Sequence, residues 1–166
     1  MGTKSKYFTQ PNETVEVKIL IDTRGKQLKV VSEEEDAKLR AAGDLPEGVV
    51  EESSTWAVPN WGIGQWIDNK SFGRVNNNPN SPLEFKPTSY VIARIQALLV
   101  DWSLGDAPEG KSNLVRVPAS ETKEMPVLIL NPESMMKIST CNQEIVSAFY
   151  TKGMALLYPS DEDRKN

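Results

Sequence analysis

From Thr14 the chain alternates, with Val15, Val17, Ile19 and Ile21 on one side and Glu16 and Lys18 on the other. A period of two marks a strand with one buried and one wet face. Such a strand needs partners for its backbone and a cover for its apolar face, and the rest of the chain must supply both. Asp22-Thr23-Arg24-Gly25 reads as a turn in which Gly25 takes the positive φ of a hairpin loop, and Leu28 and Val30 return as a second strand.

The cover is expected from helices. Ser32 followed by Glu33, Glu34 and Glu35 reads as an N-cap with a capping-box acid, and Gly43 as the stop of a short helix through Leu39 and Ala42. The acids at 33–36 point in different directions around that helix, so they favour its positive dipole end rather than a shared metal ion. Residues 44–60, with Pro46, Gly48 and Pro59, read as a loop holding a short strand at 48–52. Asn60 can cap a short helix from Trp61 to Asn69. Residues 76–82 form a loop, because Pro79, Pro82 and the residues before them are excluded from helices. Thr88 or Ser89 caps a core helix over 88–104, whose Val91, Ile95, Leu98, Leu99 and Trp102 share one face.

Leu114 to Val117 reads as a strand ending at Pro118, and residues 125–130 are open between strand and short helix. Asn131-Pro132-Glu133 starts a helix over 132–152 through Met135, Ile138, Cys141, Ile145, Val146 and Phe149, which stops at Gly153. Met154 to Tyr158 adds a last strand or extended segment. The fold class is therefore α+β: an N-terminal β-hairpin packed against two longer α-helices, with short helices and loops. At 166 residues one domain is expected, over 14–158, between a flexible arm at 1–13 and a charged tail at 159–166.

A net charge of −4 argues against nucleic acid, which demands a surplus of Lys and Arg on one face. No apolar run is long enough to span a membrane, and the N-terminus has neither a secretory core nor, with Lys6, a myristoylation signal. The lone Cys141 cannot form an internal disulfide, which fits a cytoplasmic setting. The chain contains no histidine, so serine and cysteine triads, most zinc sites and the commonest general base are missing. Cys141 lies on an apolar helix face with nothing to activate it. Gly62-Ile63-Gly64 lacks the remainder of a dinucleotide fingerprint, and pairing Asp101 with Glu121 or Glu124 has no singular spacing. The expectation is a protein that is not an enzyme and takes no metal or cofactor.

What remains is aromatic. Trp56, Trp61 and Trp66 lie in a stretch punctuated by Gly and Pro, where they serve either as partner-binding anchors or as core beneath the hairpin. Tyr7 and Phe8 are the residues of the N-terminal arm able to dock. Met135 and Met136 admit the same two roles, contact surface or packing.

The segment from Val91 to Leu104, ending Asp101-Trp102-Ser103-Leu104, is followed by a Gly/Asp/Pro loop, Val117-Pro118-Ala119-Ser120 and a helix from Asn131-Pro132-Glu133. This layout, over residues 50–153, resembles tail-assembly chaperones and related tail or neck accessory proteins of tailed bacteriophages. The resemblance implies a non-catalytic protein of the host cytoplasm or the virion that binds tape-measure, tail-tube or capsid components. Two further readings stand beside it: a permanent virion subunit that self-associates, and a small interaction domain that inhibits a host protein.

Overall fold

The computed structural model describes residues 13–119 and 127–160, and among them the chain forms an α+β fold of eight strands and five α-helices. Strand β1 (Thr14–Asp22) follows the alternation: Val17, Ile19 and Ile21 are buried, Glu16 and Lys18 exposed. Its returning partner is a stub. β2 (Lys29–Val30) meets only Ile21 and Asp22. Gly25 is not among the residues of positive φ. The turn is held instead by the Asp22 carboxylate, which accepts from the backbone N–H and the guanidinium of Arg24.

The full-length partner of β1 is β3 (Val49–Ala57), paired from Thr14↔Ala57 to Asp22↔Val49. Residues 44–60 thus contribute a central strand rather than a loop with a short strand. Its pattern is masked by polar residues, one of which, Ser54, is fully buried because its hydroxyl accepts the Trp56 indole N–H at 2.8 Å. Helix α1 (Glu33–Ala42) begins and ends where its caps predict, with Ser32 accepting from the Glu35 N–H and Gly43 at φ 88°. Helix α2 (Trp61–Ser71) starts on Asn60, whose side chain accepts from the Ile63 N–H.

Strands β4 (Phe72–Arg74) and β5 (Leu83–Phe85) form a separate antiparallel hairpin, so the Asn- and Pro-rich segment between them is its tip. Helix α3 (Pro87–Leu98) is shorter than the helix expected over 88–104. Residues Leu99–Trp102 leave it as strand β6, completing a sheet in the order β2-β1-β3-β6. A bulge between Thr55 and Trp56 sets Trp56 opposite Leu99 and Ser54 opposite Trp102. In a regular strand, residues three apart face opposite ways; the extra residue turns Leu99 and Trp102 to the same buried face.

A third sheet pairs β7 (Arg116–Pro118) with β8 (Leu128–Leu130), which makes the described part of segment 125–130 a strand. The helix expected over 132–152 is two helices, α4 (Pro132–Thr140) and α5 (Gln143–Leu157). Asn142 restarts the chain by accepting the Glu144 N–H. Gly153 does not stop α5 but lies inside it, and a Cβ there would come within 2.8 Å of the Trp56 ring. No extended segment follows: 154–157 complete the helix. The core joins Val17, Ile19, Ile21 and Trp56 of the sheet to Trp66 and Ile67 of α2, Leu98 of α3, Ile138 of α4 and Phe149 of α5. None of the helices among the described residues is long and apolar enough to cross a membrane.

Candidate binding surface

Of the three clustered tryptophans, the fold leaves one at the surface. Trp56 is 1% exposed and Trp66 8%, so both belong to the core and are removed from any partner contact, whereas Trp61 at the start of α2 is 69% exposed. Tyr7 and Phe8 lie outside the described residues. Met136 is exposed, while Met135 packs against the core.

The fold also assembles an aromatic surface that the sequence reading does not single out. It starts on the β4–β5 hairpin. The carbonyl of Ser71, the last residue of α2, accepts the Lys86 N–H and closes the base of the hairpin. At its tip Asn76 and Asn77 adopt left-handed φ of 51° and 55°, which Asn tolerates better than other residues bearing a side chain. The Asn78 side chain accepts from the Asn80 N–H, and Ser81 donates its hydroxyl to the Asn78 carbonyl at 2.8 Å. This turn chemistry brings Phe72 directly opposite Phe85.

From that pair a ladder of stacked groups runs across the surface. The rings of Phe72 and Phe85 meet edge to face at 5.6 Å, and Phe85 meets Tyr90 of α3 in the same way at 5.2 Å. One turn along α3, the Arg94 guanidinium is sandwiched between two rings, 4.1 Å from the centre of Tyr90 and 4.5 Å from that of Tyr158. Phe72, Leu83, Phe85 and Tyr158 are all at least 40% exposed. Arg94 has no ion-pair partner among the described residues, and its Nε is buried without a hydrogen bond. Burial pushes the Tyr158 hydroxyl above its ordinary pKa, with the Arg94 charge opposing.

A small two-stranded hairpin is marginal in water, and every residue of β5 is exposed. The exposed aromatics therefore do not stabilise the fold in proportion to their size. Residues 70–94 also carry four cations, Lys70, Arg74, Lys86 and Arg94, against the single carboxylate of Glu84, in a chain of net charge −4. An apolar surface with a basic fringe fits an apolar partner surface with an acidic fringe.

Other polar groups are tied into the fold. Asp101 accepts the N–H groups of Asn113 and Leu114, both at 3.0 Å, and ties down the loop after β6. Its imagined companions Glu121 and Glu124 lie outside the described residues. Asp36, 6% exposed, pairs with Arg40, which also reaches Glu51, and so locks α1 to β3. Arg40 holds the Glu51 carboxyl below the usual carboxylate range. Cys141 is half-buried at the junction of α4 and α5, and desolvation raises its thiol pKa, which disfavours the thiolate. Among the described residues no three His, Cys, Asp or Glu side chains gather in a metal-holding group.

The ladder left a trace in the sequence. Phe72-Gly73-Arg74 and Leu83-Glu84-Phe85 alternate on either side of a turn-rich segment, and Tyr90 and Arg94 are four apart on a helix. No family model matches the chain, and neither a curated protein nor a solved structure matches it.

Proposed function

We propose that this is a non-catalytic binding protein that acts in bacteriophage tail or virion assembly, within the host cytoplasm, by burying the aromatic ladder against another protein. The observation that carries the reading is the ladder Phe72–Phe85–Tyr90–Arg94–Tyr158, which runs from the β4–β5 hairpin across α3 to the end of α5 and leaves Phe72, Phe85 and Tyr158 exposed. Tyr and Arg in a packed cluster are the residue types that dominate binding energy at protein interfaces. The chain's acidic balance favours a protein partner over nucleic acid. The tail-assembly setting rests on the sequence resemblance over residues 50–153 alone, and it names tail-tube, tape-measure and capsid proteins as the partners to test.

The test is co-expression and affinity measurement with such tail components, wild type against a Phe72→Ala/Phe85→Ala variant. Loss of about 2 kcal/mol, or roughly thirtyfold in affinity, is expected for truncating a central aromatic pair. The variant's folded far-UV spectrum should be unchanged. A complex indifferent to the double substitution would reject the ladder as its site, and failure of every tail component to bind wild type would reject the assembly setting.

A further inference from the structure

β1 is paired along its whole length with β3 but meets β2 only at Ile21 and Asp22. Among the described residues no strand pairs with its other edge from Val15 to Ile19. The Leu20 carbonyl accepts the Val31 N–H on that side, while the Glu13 carbonyl accepts the Val58 N–H on the β3 side. Backbone groups alternate in direction along a strand, so Glu16 and Lys18 turn their N–H and C=O groups outward from the open edge. Their side chains share one face and are exposed.

Beside this edge lies a groove of about 520 Å³, with Val17, Ala155, Leu156 and Pro159 among its lining. Leu156 is 54% exposed. An uncovered edge next to an apolar groove is a template for another strand, with main-chain bonds supplying affinity and the groove supplying selectivity.

We propose that this edge pairs with the same edge of a second copy, antiparallel about a two-fold axis at Val17. Charge and backbone direction select the same register. It sets Glu16 of each copy opposite Lys18 of the other, giving two ion pairs between residues whose outward backbone groups also bond each other. Lys18 leans on Glu51 of its own chain at 3.3 Å but keeps 49% of its side chain exposed, so it can serve both. The paired stretch is Val15–Ile19, because β2 and Val31 occupy the edge beyond it. Two-fold pairing joins the four-stranded sheets into one and brings the two copies of α5 together over the grooves. The contact is closed, so it makes dimers and not filaments.

The test is light scattering across a concentration series, with circular dichroism to confirm folding. Wild type is expected to dimerise. Glu16→Lys and Lys18→Glu each set like charges opposite one another and weaken the dimer about tenfold. The Glu16→Lys/Lys18→Glu double variant restores opposite charges and recovers wild-type affinity. A wild type that stays monomeric, a dimer insensitive to both single changes, or a double variant no better than the singles would overturn the proposal. The ladder residues play no part in this test, so its failure leaves the proposed function standing.

Discussion

The same chemical change, Gly to Ala within a helix, should have opposite signs at two places in this chain. In α2 a Cβ on Gly64 meets nothing within 4 Å. Gly64→Ala should therefore recover the helix propensity that glycine forfeits, about 0.5–1 kcal/mol. In α5 a Cβ on Gly153 would stand 2.8, 2.9 and 3.1 Å from three atoms of the Trp56 indole. That ring cannot retreat easily: it is 1% exposed, its N–H is bonded to Ser54, and Tyr150 meets it edge to face at 6.4 Å. Overpacking of a tight core costs about 1–3 kcal/mol. Setting the propensity gain of about 1 kcal/mol against it leaves Gly153→Ala destabilised by up to about 2 kcal/mol. For a chain of this length 1 kcal/mol moves Tm by about 2–4 °C, so the two variants should melt on opposite sides of wild type. Urea unfolding followed by far-UV circular dichroism gives both values. A Gly153→Ala protein as stable as Gly64→Ala would refute the packing of α5 on Trp56.

Three further outcomes follow from the same geometry. Ser54→Ala removes the acceptor of the buried Trp56 N–H and should cost about 1–3 kcal/mol, read from the urea midpoint. Trp61→Ala should abolish the fluorescence most readily quenched by acrylamide while changing stability by less than about 0.5 kcal/mol, since the side chain is 69% exposed. Arg24 holds the Asp22 carboxyl at about 2, and Arg40 holds Glu51 below the usual carboxylate range. Folded-state values below the unfolded ones mean that these pairs stabilise the protein above about pH 4 and lose that effect as acid approaches the lowered values. The thermal midpoint should be flat near neutrality and fall below about pH 4, less steeply in Glu51→Gln.

Much of the secondary structure was legible where a local signal acts alone. Ser32, Asn60 and Asn131 each cap the helix that follows by accepting a backbone N–H, and Gly43 ends α1 in a positive φ. Two errors share a cause in tertiary packing. Leu99 and Trp102 sit at helical spacing from Val91, Ile95 and Leu98, but the bulge opposite Trp56 gives a strand that same three-residue spacing on one face. Gly153 reads as a helix stop, yet its missing side chain makes room for a ring almost a hundred residues earlier in the chain.

β3 lacks a clear strand pattern in sequence because Ser54 is polar by type yet buried once it bonds the Trp56 indole. The surface site was less legible still. Trp56, Trp61 and Trp66 look equivalent in sequence, and only the sheet and α2 decide that the first and last are buried. The ladder depends on the hairpin register and on Tyr158 returning from the far end of α5, neither of which any single segment encodes.

The most direct measurement is hydrogen exchange of the backbone amides in the presence and absence of whichever protein the co-expression test identifies as a partner. A small hairpin exchanges readily when free, so its burial gives a large signal. The account predicts protection centred on 72–74, 83–85 and the first turn of α3. Protection confined to other elements, with these amides exchanging as in the free protein, would contradict it.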